Sequence, residues 1–410
     1  MHKFDSTIYA TSNTPIRYLV FLISLFLGPT LAIFELRGVH LALFFLLVLS
    51  GLYIIRAGAF DKRKLVLLFF YLSFLSAWIV SHIFYSSLSI RYLAYVFYFT
   101  FTLLVYYCSF RALFILSKEL ICRFINFFIY LDLIFASIEI MLGASFFGNN
   151  PLAGTEYQVG SSFWANMNTN VVALILFNTS LYFLGAKKSF YLNTFPLLIL
   201  AFFVDAKLCI LALIGQILWV QLIENGVIRV VFIIALLFLA PLILFLFDKH
   251  VDAVVNNLDR VFELLENPEL LEQIVSSGNM FSVAIRAYAL SEMLSVLSNF
   301  SFFNWVFGIG FGNLNISFIN NKWGGLIEFF SPHLFYLEII VYLGVSYYIF
   351  YLGMMKLLAS RLPWRSIFIA LPTLGSVIAI SSAVYFLPLY FFLAVMTFWE
   401  YQNYVRKNNG

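Results

Sequence analysis

The sequence predicts an all-α fold: a polytopic transmembrane helix bundle of about twelve spans with one large outer loop containing amphipathic helices. Three observations carry this. First, 63% of the 410 residues are hydrophobic and only 11% are charged, with a mean hydropathy of +0.95; a soluble domain carries about 25% charged residues. Second, apolar runs of roughly twenty residues recur along the chain, long enough to span a bilayer as helices and too long for barrel strands. Third, the 50 Phe and 24 Tyr suit lipid contact and interfacial anchoring.

Taken in order, the spans are expected near 16–36, 39–55, 65–83, 90–110, 124–146, 169–186, 190–206, 208–224, 229–247, 333–355, 366–381 and 383–401. The first follows a polar tail and lacks a small-residue cleavage site, so it reads as a retained helix rather than a signal peptide. The chain divides into residues 1–247 with nine spans, a large outer loop at 248–332, and residues 333–410 with three spans and a tail. With the N-terminus in the cytoplasm, 17 of the 24 Lys and Arg fall on the cytoplasmic side and 7 on the outer side. That bias places both termini of this multi-pass protein in the cytoplasm.

Two outer connections are long. Residues 147–167 are rich in Gly, Asn, Ser and Pro and should be irregular. In 248–332, Val251, Val254, Leu258, Val261 and Leu265 repeat at helical spacing, as do Val283, Ala287, Leu290, Leu294 and Leu297. Both apolar stripes need a partner, which a bilayer surface or the outer ends of the bundle would supply. No Walker loop, dinucleotide-binding strand–turn–helix or HExxH occurs. Cys108, Cys122 and Cys209 have no metal spacing and read as packing residues.

Polar chemistry concentrates between Gly278 and Gly344 and at the outer ends of a few spans. Arg286 lies beside the second stripe among many loop carboxylates; a solvated salt bridge and a fork-shaped donor to a diphosphate both fit it. His333 follows Ser331-Pro332 at the start of a span, as an interfacial polar residue or as a general base. Lys207 sits in an outer turn two residues after Asp205, as a local ion pair or as a cation facing the same cavity. Arg91 opens the fourth span, most simply as a snorkelling anchor. Asn166, Asn168 and Asn170 begin the sixth span, where they either cap it or hydrogen-bond a glycan. Gly308, Gly310 and Gly312 read as a bend with positive φ and close backbone approach rather than a nucleotide loop. Asp132 and Glu139 share one face of the fifth span, where structural pairing or a protonated state is preferred to a proton path.

In order, FWANMNTNVVAL, DAKLCILAL, an Arg ahead of FNWVFGIGFG, and SPHLFYLEIIVYLG resemble the O-antigen ligase/polymerase superfamily of inner-membrane proteins. The likeness covers about 160–345. One departure stands out: Ala206-Lys207 replaces the usual Ser-Arg, keeping the charge and losing the bidentate fork.

The resemblance implies metal-independent glycosyl transfer from undecaprenyl diphosphate at the periplasmic face. Arg286, with Lys207 and Arg91, would hold the diphosphate, and His333 would orient or deprotonate the acceptor hydroxyl. Asn166 and Asn168 would contact the glycan. Expected partners are undecaprenyl-diphosphate-linked oligosaccharides, membrane lipid and a chain-length regulator. The leading expectation is an O-antigen or capsule repeat-unit polymerase. A ligase that attaches glycan to lipid A–core shares every motif quoted, and a lipid-linked oligosaccharide flippase is the rival from another class.

Overall fold

The computed structural model describes residues 14–27, 38–57, 90–143, 167–204, 206–225, 290, 293–309, 316–320, 325–329, 361–377 and 386–409, together with scattered positions between 337 and 356. The expected spans 65–83 and 229–247, the first amphipathic stripe at 251–265 and the outer connection at 147–166 lie outside the described residues.

The described chain is overwhelmingly helical. Its helices are α1 (Thr14–Phe26), α2 (Gly38–Ala57), α3 (Ile90–Ile115), α4 (Lys118–Leu142), α5 (Met167–Phe183), α6 (Lys187–Phe203), α7 (Lys207–Glu224), α8 (Phe302–Phe307), α9 (Trp364–Ile369), α10 (Leu371–Ser376) and α11 (Leu387–Asn409). To these is added one antiparallel hairpin that the helical reading did not include, β1 (Ile316–Asn320) and β2 (Gly325–Phe329), in which Ile316 pairs with Phe329 and Asn320 with Gly325. Alternating Ile316, Phe318 and Ile327, Phe329, with asparagines and glycines between the two runs, are its sequence signal.

Local chemistry explains where the helices begin and break. α4 starts ahead of the expected 124 because Ser117 caps it, its hydroxyl accepting from the Leu120 amide at 3.3 Å. The run at 366–381, expected as one span, is divided at Ala370 into α9 and α10. Pro372 accounts for the division, since it lacks an amide donor and its ring crowds the carbonyl four residues back. The second loop stripe also differs from expectation. Residues 293–298 are helical, but Met293 and Leu297 are buried whereas Leu294 is exposed, so the inward face turns through 293 and 297.

The chain forms two compact units, one of Met1–Ser76, Leu93–Gln216 and Phe350–Gly410, the other of Ala77–Tyr92 and Ile217–Ile349. In the first, α5 is the central element and packs against α4, α6, α10 and α11. Residues 169–184 are buried without interruption, as suits a helix apolar on every side. Phe26 of α1 meets Phe177 of α5 at 4.6 Å, Phe391 of α11 at 5.1 Å and Phe128 of α4 at 5.4 Å between ring centroids. Hydrogen bonds add direction to this packing. The Asn178 amide donates to the Phe190 carbonyl and Thr194 hydroxyl of α6, both at 3.1 Å, and Thr179 meets Thr373 of α10 at 3.0 Å.

α4 is built the reverse way to a helix of a soluble protein. Phe127, Tyr130, Ile134, Ile138 and Met141 are exposed along one stripe, while Asp132 and Glu139 are buried on the opposite face. Among the described residues α4 alone is both long and apolar enough to cross a membrane; stretches of α1, α2, α3 and α7 are apolar but shorter.

Arg17, Arg111, Lys118, Lys187, Arg361, Arg365 and Arg406 of this unit gather at one end. Arg17 lies over the Tyr53 ring at 3.9 Å, joining the start of α1 to the end of α2. Arg111 reaches the Tyr18 hydroxyl, and Lys118 lies near Arg406. Lys187 stacks on Tyr182 at 5.5 Å, Arg361 on Tyr404 at 3.6 Å and Arg365 on Trp399 at 5.5 Å. Glu400 is drawn into the same end, where its carboxylate accepts from the Ser366 amide in the first turn of α9 at 2.8 Å.

Candidate functional site

In the first unit, the polar features expected at an outer face lie at the helix ends away from the basic cluster. α6 begins at Lys187 in that cluster and ends at Phe203, and the turn beyond it delivers Lys207 as the first residue of α7. This turn is tight: the Ala206 amide donates to the Ala201 carbonyl at 2.8 Å, and Ile210 donates to Ala206 at 3.0 Å. Arg91 lies in the first turn of α3, in the second unit, and its side chain lies outside the described residues.

The asparagine-rich start of α5 divides by position. Asn166 lies outside the described residues, and Asn168 is half-buried in the first turn. Asn170 is fully buried and does not cap the helix; its amide donates to Asp132 of α4 at 2.8 Å. Capping is therefore corrected for Asn170, whereas the structural pairing expected of Asp132 is found. The partner comes from 38 residues away, which spacing along α4 could not reveal.

The second unit holds the glycine-rich turn. Ser301 caps α8, accepting from the Asn304 amide at 3.2 Å. Gly308 ends it with φ 72°, a left-handed conformation that glycine adopts without strain, and its amide donates to Asn304 at 2.7 Å. The expected positive φ is present at Gly308, while Gly310 and Gly312 lie outside the described residues. Trp305 is partly exposed and meets Phe300 edge-on at 5.6 Å.

This turn docks on the segment that follows His333. Leu337, residues 340–342 and residues 344–346 are helical, with Gly344 at φ 72° among them. The Val341 carbonyl accepts from the Ile309 amide at 2.8 Å. The Ser346 hydroxyl donates to the Val306 carbonyl. A Cβ at Gly344 would stand 2.3 Å from the Val306 oxygen and 2.6 Å from the Phe307 nitrogen, so the two backbones approach as only glycine permits. The hairpin lies between the two contact points, and β2 ends at Phe329, four residues before His333.

Arg286 and His333 lie outside the described residues, as does the side chain of Lys207. Sequence reasoning missed Ser346 and the positive φ at Gly344, because the hydropathy of 333–355 runs through them without a break. Among the described residues no group of His, Cys, Asp and Glu is arranged to hold a metal ion. Comparison with protein-family models, curated proteins and solved structures returns no match.

Proposed function

We propose that the chain is a polytopic inner-membrane glycosyltransferase that polymerises lipid-linked repeat units, as an O-antigen or capsule polymerase. The observation that carries this reading is the ordered motif set from FWANMNTN to SPHLFYLEIIVYLG on a chain of this hydropathy. The inverted polarity of α4 supports a lipid-facing bundle of about twelve spans, since an apolar outer stripe over buried carboxylates suits hydrocarbon rather than water. The gathering of Arg17, Arg111, Lys118, Lys187, Arg361, Arg365 and Arg406 at one end supports a cytoplasmic placement of that end. The helix start carrying Lys207 then faces the periplasm.

In the mechanism that follows, Arg286 and Lys207 bind the diphosphate of the donor and stabilise its charge as the glycosidic carbon leaves it. His333 accepts the proton of the attacking acceptor hydroxyl. The donor already carries its leaving group, so the reaction requires no nucleotide. A deletion strain tests the reading. A polymerase mutant displays a single repeat unit on the lipid A–core; a bare core with accumulated lipid-linked polymer identifies a ligase instead. In vesicles, movement of lipid-linked sugar between leaflets without chain growth identifies a flippase.

A further inference from the structure

We infer that Arg361 and Arg365 hold the phosphate of an anionic phospholipid whose acyl chain lies along Trp364, Phe368 and Leu371; this rests on the membrane placement of the bundle and not on the transfer chemistry. All five residues belong to the first unit, where the chain enters α9 and α10. All five are exposed, whereas Pro363, Ser366, Ile369, Ala370 and Thr373 between and beyond them are buried. Positions three and four apart share a helical face, so the exposed set forms one stripe. It is cationic and aromatic at its start and apolar beyond.

The arginines are fixed by rings. Arg361 lies over Tyr404 at 3.6 Å and Arg365 over Trp399 at 5.5 Å, both rings on α11. A ring beneath the flat face of a guanidinium leaves its in-plane N–H donors available, in the fork that matches phosphate oxygens. Glu400 stands between those two rings in sequence, and its carboxylate accepts from the Ser366 amide at 2.8 Å. Among the described residues, both guanidiniums are thus held by aromatic faces and neither by a carboxylate.

The apolar half of the stripe decides the kind of anion. Trp364, Phe368 and Leu371 are 58%, 55% and 56% exposed, in a run whose other face is sealed by Ser366, Ile369 and Ala370. Trp settles at a membrane–water interface, and the stripe continues from it as hydrocarbon. A free phosphate would use the arginines and leave the stripe wet. A zwitterionic lipid would use the stripe and bring its own cation to the arginines. An anionic phospholipid satisfies both.

The test is native mass spectrometry of the full-length protein released from detergent and titrated with phosphatidylglycerol, phosphatidylcholine or glycerol phosphate. Phosphatidylglycerol should bind most tightly, and glycerol phosphate, which lacks acyl chains, far more weakly. Arg361→Gln with Arg365→Gln should weaken phosphatidylglycerol about 25-fold, a factor of about five for each arginine at a membrane surface, and leave phosphatidylcholine unchanged. Arg361→Lys with Arg365→Lys keeps the charge and loses the fork, so it should show part of that loss. Lys118→Gln with Arg406→Gln removes two cations from the same end and should leave phosphatidylglycerol binding near the wild-type value. Thermal midpoints in phosphatidylcholine report folding, and the lysine pair carries the test if the glutamine pair does not fold. Equal affinity for the two phospholipids overturns the inference in favour of bulk lipid, and an equal loss from the Lys118 and Arg406 changes overturns it in favour of diffuse charge. Glycerol phosphate binding as tightly as phosphatidylglycerol assigns the arginines to a soluble anion and overturns it too. A wild-type protein that retains no phospholipid in any titration removes the membrane placement, and the inference with it.

Discussion

Asn170 donates its side-chain amide to Asp132 at 2.8 Å, joining α5 to α4 where neither residue is reached by solvent. A buried carboxylate with a fixed donor organises two helices, and leaving it without that donor is costly. Asn170→Leu should destabilise the protein more than the paired change Asn170→Leu with Asp132→Leu, because the pair removes donor and acceptor together. In a double-mutant cycle the coupling should be about 0.6–1.7 kcal/mol, the range of interhelical hydrogen bonds in lipid-embedded bundles. Unfolding in detergent measures it, and additive single effects would show that the contact contributes nothing of its own.

Gly51 of α2 faces Leu104 of α3, and a Cβ at Gly51 would lie 3.1 Å from the Leu104 Cδ2. The obstacle is the end of a flexible side chain rather than backbone. Gly51→Ala gains roughly 0.5–1 kcal/mol of helix propensity against a shift of a few tenths of an ångström, so its stability should stay within about 1 kcal/mol of wild type. Gly51→Leu has no such relief and should cost about 1–3 kcal/mol by overpacking. The same substitutions at Gly344 should differ sharply, since there the obstructing atoms are the Val306–Phe307 backbone. Thermal midpoints of the four variants decide between side-chain and backbone contact at the two sites.

The reading of helix starts succeeds where a local signal marks them. α5, α6 and α7 begin at Met167, Lys187 and Lys207, each within three residues of expectation, because turn residues interrupt long apolar runs there. Breaks inside continuous hydropathy were harder to see. Pro372 was visible, yet the apolar run on both sides of it concealed the division into α9 and α10. Gly344 lies within IIVYLGVSYYIF, and only its contact with Val306, 38 positions earlier, explains a glycine there. For the candidate site, residue types and their order were legible, as was the positive φ at Gly308. The Asn170–Asp132 and Ser346–Val306 pairings were not, because both are tertiary contacts between segments far apart in the chain.

Orientation has its own test. Cys108 and Cys209 are buried and Cys122 is partly so, and substituting all three provides a cysteine-free background. Single cysteines at Asp259 and Lys62 should then differ on intact spheroplasts treated with an impermeant thiol reagent. Labelling at 259 and protection at 62 is the expected outcome. The reverse would place the basic end outside and remove the periplasmic chemistry together with the topology.

Arg286 and His333 should act at one cavity and fail in different ways. Arg286→Lys keeps the charge and loses the bidentate fork, so a diphosphate role predicts substantial loss of polymer from this mild change. A solvated salt bridge would barely register it, since exposed pairs contribute about 0–1 kcal/mol. His333→Ala should preserve abundance and donor binding while lowering turnover by about 10²-fold or more, the usual contribution of a general base. Lys207 supplies the control, because it keeps the charge and lacks the fork where the resembled pattern has Ser-Arg. Lys207→Arg supplies the fork of the resembled pattern and should be tolerated, whereas Lys207→Ala should shorten the chains if the charge meets phosphate. If Lys207 only pairs with Asp205, Lys207→Ala leaves the ladder unchanged. The measurement is O-antigen ladder length in a deletion strain complemented at matched protein levels. Full-length ladders from both Arg286→Lys and His333→Ala would remove the catalytic assignment, whatever became of the family resemblance.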